Sequence, residues 1–94
     1  MKVKNMTSNS GNSIANQFVI TDDDGNEYFQ SYQSIIAKKP RSHYSWIKLK
    51  ILIDEKYWDY SVTTGRYRNQ FLGETKKETQ AKIDSGEYIL TNLN

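Results

Sequence analysis

The sequence predicts an α+β fold, in which an antiparallel sheet of three to five strands is followed by two short helices packed on one face. Three observations carry this prediction. Apolar residues alternate with period two in the first half of the chain, whereas helix-capping signals and helical spacing begin near residue 61. The chain has 94 residues, the size of one domain with a thin core. Strands followed by helices favour α+β, and we assign residues 1–94 to a single domain.

The first half of the chain is predicted to form strands joined by tight turns. A short strand covers residues 2–4, a polar loop follows, and residues 14–21 form a strand in which Phe18 and Ile20 share one face. Asp24-Gly25 predicts a hairpin, because glycine tolerates the positive φ that such turns require. Residues 27–32 form the returning strand, and residues 34–38 extend it or start another.

Residues 46–53 give the clearest strand pattern in the chain, after a loop that contains Pro40. The odd positions from Ile47 to Ile53 are all aliphatic, so we expect them to face the core. The even positions begin with Trp46 and include two lysines, so we expect them to face water.

The second half predicts two helices. Ser61 is placed to cap a helix that runs to Leu72 and stops at Gly73. Four residues of this helix fall at helical spacing, namely Thr64, Tyr67, Arg68 and Phe71. Arg66 lies on a different side of the helix. Because aliphatic residues are scarce, we expect core roles for three aromatic residues: Trp58, Tyr67 and Phe71.

A second helix begins at a capping box formed by Thr75 and Glu78. Glu78 and Lys82 are spaced for an i,i+4 ion pair, and Ser85-Gly86 ends the helix. Residues 87–93 predict a last short strand.

The composition excludes several classes of protein. Without cysteine there are no disulfides, thiolate metal sites or cysteine nucleophile. The first residues lack the apolar segment of a signal peptide, and no stretch reaches the roughly 18 apolar residues of a membrane span. We therefore expect a cytoplasmic protein with no membrane association.

The sequence gives little support for catalysis or metal binding. Its one histidine, His43, lies in a loop beside proline, which is typical of an exposed residue. Residues 22–33 start like a calcium-binding EF-hand loop, but the glycine is displaced and Gln33 stands where glutamate is required. We expect no enzyme, no cofactor and no metal.

Basic and aromatic residues are concentrated in one segment, and they predict a partner-binding surface. Its members are Lys38, Lys39, Arg41, His43, Tyr44, Trp46, Lys48 and Lys50. Cations interleaved with aromatic rings suit single-stranded nucleic acid, a protein interface, or an edge strand protected by lysines. An acidic alternative is the turn that contains Asp22, Asp23, Asp24 and Glu27, a modest mimic of DNA phosphates.

Several segments together carry a resemblance to a known family. The most distinctive is Tyr57-Trp58-Asp59-Tyr60-Ser61. The others are 16–20, 29–32, 34–37, 63–64, 67–69, 71–73, 75–83 and 92–93. With these segments the chain resembles a family of small uncharacterised proteins encoded by phages, prophages and conjugative elements of Gram-positive bacteria. The resemblance spans nearly the whole chain, with residues 39–46 as a variable insertion.

Such accessory proteins of mobile elements often act on host machinery, and many inhibit bacterial defence. The resemblance therefore implies a non-enzymatic inhibitor or modulator of a host nucleic-acid enzyme, most concretely an anti-CRISPR-type inhibitor of a Cas nuclease. The alternative is a small nucleic-acid-binding regulator that uses the basic and aromatic residues. The sequence leaves the oligomeric state open.

Overall fold

The computed structural model describes residues 1–94 and places six strands in one sheet, in chain order. The elements are β1 (Lys2–Thr7), β2 (Ser13–Thr21), β3 (Glu27–Ser31), β4 (Ser34–Lys39), β5 (Leu52–Asp54), α1 (Val62–Leu72), α2 (Lys76–Asp84) and β6 (Ile89–Thr91). The predicted α+β class is confirmed. The predicted count of three to five strands is too low, because each predicted segment forms a strand of its own. Neither helix is long and apolar enough to cross a membrane.

The sheet is mixed, so the expectation of a purely antiparallel sheet was wrong at one edge. β1 to β5 pair antiparallel, whereas β6 runs parallel to β5, with Leu52 opposite Ile89 and Asp54 opposite Thr91. The chain between β5 and β6 contains both helices. Parallel neighbours need such a crossover, and this one returns the chain to the sheet in the direction in which it left.

Tight turns join the central strands. Gly25 has φ of 89° in the turn between β2 and β3, as the Asp-Gly signal predicts. A two-residue turn at residues 32–33 separates β3 from β4, so residues 34–38 start a new strand. In this turn Tyr32 has φ of 55°, a left-handed conformation that is strained for a bulky residue.

One face of the sheet packs against the helices and forms the core. Phe29 of β3 stacks on Phe71 of α1, with 5.8 Å between the ring centroids. Beside this pair, the Ser31 and Thr64 hydroxyls are hydrogen-bonded at 2.8 Å. The buried apolar residues of this layer are Met6, Phe29, Ile36, Ala37, Ile53, Tyr67, Phe71 and Tyr88. α2 contributes Ile83 to the rim of the cluster.

The helix signals in the sequence are confirmed for α1. The Ser61 hydroxyl accepts a hydrogen bond from the Thr64 amide, and Gly73 ends the helix in the left-handed conformation. The four residues expected on one face are all buried: Thr64, Tyr67, Arg68 and Phe71. Arg66 is exposed, as its position on the helix predicts.

The start of α2 is confirmed, but the predicted ion pair within it is wrong. Thr75 and Glu78 form the capping box, so the Glu78 carboxylate accepts hydrogen bonds from the Thr75 amide and hydroxyl. Lys82 instead places its ammonium 2.8 Å from Glu74, which precedes the helix. Glu74 is the better partner because its side chain is only 4% exposed, and burial strengthens the electrostatic interaction.

The predicted strand over residues 46–53 is present only at its end, as β5. β4 stops at Lys39, and the next residue, Pro40, has no amide hydrogen to donate. Only Leu52 and Ile53 therefore lie opposite β4 residues. Residues 46–51 extend beyond the partner strand and form no regular structure, despite their alternating sequence.

A basic and aromatic loop as candidate binding surface

Residues 41–50, which we call the basic-aromatic loop, project from the sheet between β4 and β5. Nine of these ten residues are exposed, Ser42 being the exception. Trp46 is 78% exposed and Tyr44 is 54% exposed. Their ring centroids lie 5.0 Å apart at an interplanar angle of 37°, so the two rings support one another in solvent. Such exposure of large aromatic residues marks a candidate interaction site.

The two ends of the loop are anchored, whereas its centre is free. The Arg41 amide donates to the Asn26 side chain at 2.8 Å. At the other end, the Lys50 ammonium donates to the Gly86 carbonyl at 2.8 Å, and the Ile51 carbonyl accepts from the Ile89 amide. These contacts hold the loop at fixed points on both sides of its aromatic pair, which limits the entropy lost on binding.

The positive charges of this region are not neutralised within the protein. The ion pairs of the structure join the Met1 amino group, Arg68, Lys76 and Lys82 to carboxylates, and none includes a cation from residues 38–50. Lys48 in particular is exposed and makes no side-chain hydrogen bond within the protein. The region therefore presents a positive field to an approaching partner.

The structure divides the predicted binding residues into two groups. Lys38 and Lys39 lie on opposite faces of β4, with their ammonium groups 5.3 Å from the Tyr28 ring centroid and 4.2 Å from that of Phe71, respectively. Lys39 also donates to the Phe71 carbonyl at the end of α1, where a cation stabilises the helix dipole. Lys39 thus supports the fold. The exposed residues of the predicted set whose side chains make no hydrogen bond or ion pair within the protein are Arg41, His43, Tyr44, Trp46 and Lys48.

Two aliphatic residues of the loop were missed as surface residues, because the alternating pattern assigned them to the core. Ile47 is 42% exposed and Leu49 is 46% exposed. Leu49 lines a groove of about 380 Å³ between residues 48–51 and the pair Glu87 and Tyr88. The position of Pro40 at the end of the partner strand is the sequence signal that marks this segment as unpaired.

The acidic turn contributes less free charge than its sequence indicates. Asp22 accepts hydrogen bonds from Asn26, Tyr28 and the Asp24 amide. These bonds, the one from the Asn26 side chain foremost, lower the pKa of the Asp22 carboxyl to about 2. Asp23 is paired with the Met1 amino group. Of the predicted acidic set, only Asp24 and Glu27 are exposed and unpaired.

The Asp54 carboxylate, whose residue is only 1% exposed, serves as a structural acceptor. It binds the backbone amides of Lys56, Tyr57 and Leu93 and the side chain of Asn94, at 2.8–3.1 Å. Burial opposes ionisation, but these hydrogen bonds outweigh it and hold the pKa of Asp54 below its usual value. Asp54 thereby ties the segment after β5 to the end of the chain.

Glu74 has the same role between the helices and β6. It accepts hydrogen bonds from Thr79, Lys82 and the Tyr88 hydroxyl. Its burial opposes ionisation, yet these donors, Lys82 first, keep the pKa of Glu74 below its usual value. Burial and the adjacent Glu74 carboxylate raise the pKa of Tyr88 to about 12. Both buried carboxylates are therefore engaged within the fold.

The distinctive Tyr-Trp-Asp-Tyr-Ser segment is also structural. The guanidinium of Arg68 donates to the Trp58 carbonyl at 2.6 Å and to Asp59 at 3.2 Å. It lies 5.1 Å from the centre of the Trp58 ring, and Arg68 is only 1% exposed. Half-buried Trp58 packs against the core, as expected. The segment therefore holds the buried Arg68 side chain through hydrogen bonds and a ring contact.

The largest cavity of the protein, about 640 Å³, lies beside this segment and not at the loop. Its charged lining includes Asp59, which is paired with both Arg68 and Lys76. Two of the three lining cations, Arg68 and Lys76, are paired with Asp59, and only Arg66 has no acidic partner. The cavity is therefore a weaker candidate than the basic-aromatic loop, whose cations all lack acidic partners.

These features define a small two-layer α+β domain that presents an anchored, positively charged aromatic loop at one end. The chain belongs to a family of unknown function, DUF8033, whose model matches residues 1–87. No curated protein and no solved structure is significantly similar to the chain.

Proposed function

We propose that this chain is a non-enzymatic binding protein of a mobile genetic element that inhibits or modulates a host nucleic-acid enzyme. A CRISPR effector nuclease is the most concrete partner. The observation that carries this proposal is the basic-aromatic loop, in which Tyr44 and Trp46 stand in solvent beside cations without acidic partners. Tyr, Trp and Arg are the residues that most often dominate binding energy at protein interfaces.

The aliphatic residues of the loop favour a protein partner over nucleic acid. Phosphates require cations and bases stack on aromatic rings, so exposed aliphatic side chains contribute less to binding single-stranded nucleic acid than to binding an apolar protein surface. Ile47 and Leu49 expose nearly half of their surface beside Trp46. Burial of these apolar groups against an acidic protein surface satisfies both the hydrophobic and the charged parts of the loop.

A binding role also agrees with the state of the buried acids. Asp54 and Glu74 are occupied by hydrogen bonds and are ionised at neutral pH, so neither is placed to exchange protons with a substrate. The mobile-element setting rests on the resemblance of the chain to small phage and conjugative-element proteins. The same setting implies a location in the bacterial cytoplasm.

The test is affinity capture from a nuclease-treated lysate of a Gram-positive host with an active CRISPR system, read by mass spectrometry. Wild-type protein is expected to retain a nuclease in stoichiometric amount. The loop variant Trp46→Ala with Lys48→Ala is expected to lose at least about 30-fold in affinity, since a central Trp contributes about 2 kcal/mol or more.

A matched control removes an equally exposed apolar residue and a lysine from the helices. Val62 is 83% exposed, and Lys77 is exposed and unpaired, so Val62→Ala with Lys77→Ala tests for a general surface effect. Retention by the control and loss by the loop variant support the proposal. Equal retention by both variants would show that the loop is not the binding surface.

The second candidate is a nucleic-acid-binding regulator, which the stacked Tyr44 and Trp46 beside free cations favour. Such binding weakens steeply with salt, because bound cations release counterions from the phosphates. Retention on single-stranded DNA or RNA near 50 mM salt, lost by roughly 200 mM, would support it. Absence of retention at the lower salt concentration would rule it out.

A further inference from the structure

The face of the sheet that points away from the helices carries a continuous apolar surface, which we call the outer face. Strand register places six residues in one row across all six strands: Val3, Ile20, Tyr28, Lys38, Leu52 and Ile89. A second row contains Asn5, Phe18, Gln30 and Ile35. The paired neighbours Val19 and Phe29 belong to the opposite, helix-covered face, which fixes the orientation of both rows.

The outer face differs from the usual surface of an antiparallel sheet. A sheet with one face in solvent normally alternates apolar residues inward with polar residues outward. Here seven of the ten residues in these two rows are apolar or aromatic, and none of the seven packs against the core cluster. Val3 remains 59% exposed and Ile89 43% exposed at the two ends of the long row. A contiguous surface of this kind indicates an interaction site.

The charge pattern of the outer face restricts its partner. Lys38 is the only charged residue in the two rows, and its ammonium lies 5.3 Å from the centre of the Tyr28 ring on the same face. A complementary surface must therefore be broad, apolar and nearly free of charge. The loop does not meet this requirement, because its apolar groups alternate with lysines. The outer face of a second copy does.

We propose that two copies of this chain associate through their outer faces to form a two-fold symmetric dimer. Two identical sheets have the same twist, so they can stack at about 10 Å with strands aligned within about 30°. Six strands about 4.8 Å apart and roughly five residues long offer roughly 500 Å² per copy. The total of roughly 1,000 Å² reaches the lower bound for a specific interface, so the dimer is expected to be weak and reversible.

Dimerisation and partner binding use separate surfaces, so each can be tested without the other. The loop projects beyond the end of β4, whereas the outer face lies across all six strands. Dimer formation can therefore be confirmed or excluded independently of the proposed function.

Analytical ultracentrifugation over about 1 μM to 0.5 mM tests the dimer, since a weak interface dissociates in this range. Wild-type protein is expected to shift from the 11.0 kDa monomer to twice that mass as concentration rises. Ile20→Glu places two carboxylates in the symmetric interface, and a tenfold loss for each raises the dissociation constant about 100-fold. The control Val62→Glu adds the same charge on α1, and should dimerise like wild type.

Circular dichroism establishes whether the Ile20→Glu variant folds. If it does not, Val3→Glu decides, because Val3 is 59% exposed on the edge strand and tolerates substitution. Loss of the dimer in a folded outer-face variant, with the control unaffected, supports the proposal. A wild-type protein that stays monomeric up to 0.5 mM, or equal dimerisation by variant and control, overturns it.

Discussion

Replacing Arg68 by alanine tests whether the distinctive Tyr-Trp-Asp-Tyr-Ser segment supports the fold. The guanidinium donates to the Trp58 carbonyl, to Asp59 and to the Asn69 side chain, and it stacks on the Trp58 ring. The Arg68 side chain is only 1% exposed, whereas Asp59 is 31% exposed and retains Lys76 as a partner. The substitution leaves a cavity and an unpaired carbonyl, at a cost of about 3–4 kcal/mol.

The expected loss is large enough to measure by thermal unfolding. For a domain of this size 1 kcal/mol corresponds to about 4–8 °C, so Arg68→Ala should lower the melting temperature by at least about 12 °C. Arg66→Ala is the matched control, because Arg66 is exposed on the same helix, and it should change the temperature by less than about 4 °C. A melting temperature for Arg68→Ala close to that of the control would refute the structural role of the segment.

Three further predictions concern stability. Because the pKa of Tyr88 is raised to about 12, its stabilising contribution is complete below pH 10 and is lost as pH rises towards 12. Glu74→Gln removes the neighbouring carboxylate, so alkaline denaturation curves of this variant should show a smaller loss of stability over that range. Because the pKa of Asp54 is lowered, the ionised carboxylate stabilises the fold above the usual carboxyl pKa, and this stabilisation decreases as pH falls. Asp54→Asn should therefore destabilise the protein more at pH 7 than at pH 3. An equal loss of stability at both pH values would contradict this prediction. Tyr32→Gly should relieve the backbone strain at φ of 55° and raise the free energy of unfolding in urea by about 0.5–1 kcal/mol. A lower free energy of unfolding would show that the Tyr32 side chain stabilises the fold by more than the strain costs.

Local signals in the sequence predicted much of the fold because they act over a few residues. Ser61, Gly73 and the Thr75–Glu78 capping box marked the helix ends, and Asp24-Gly25 marked the first hairpin. Each of these residues satisfies backbone groups or permits a conformation within its own turn, so its effect does not depend on distant parts of the chain.

The errors arose where the outcome depends on a distant partner. Residues 46–51 alternate like a strand, but β4 ends at Lys39 and offers no backbone for them to pair with. Lys82 was assigned to Glu78 by spacing, although the buried Glu74 competes for it. Likewise β6 pairs parallel to β5 after a crossover that contains two helices, and no alternation pattern contains the direction in which the chain returns to the sheet.

The sequence predicted which residue types the candidate site contains, but only partly which of their side chains are exposed. The clustering of cations and aromatic rings singled out residues 38–50 as the candidate, and Tyr44 and Trp46 are exposed there. The sequence did not distinguish Lys39, which is held at the end of α1, from Lys48, which is free. That difference depends on which helix end lies beside β4, and hence on the tertiary fold.

Site-specific photocrosslinking tests the central claim, that the basic-aromatic loop is the binding surface. A photoreactive phenylalanine derivative is placed at Trp46 in one protein and at Val62 in another, two positions that are 78% and 83% exposed. Both proteins are irradiated in host lysate with the captured partner. If the loop binds the partner, position 46 gives a crosslinked product and position 62 gives none. Crosslinking from position 62 alone, or equally from both, would contradict it.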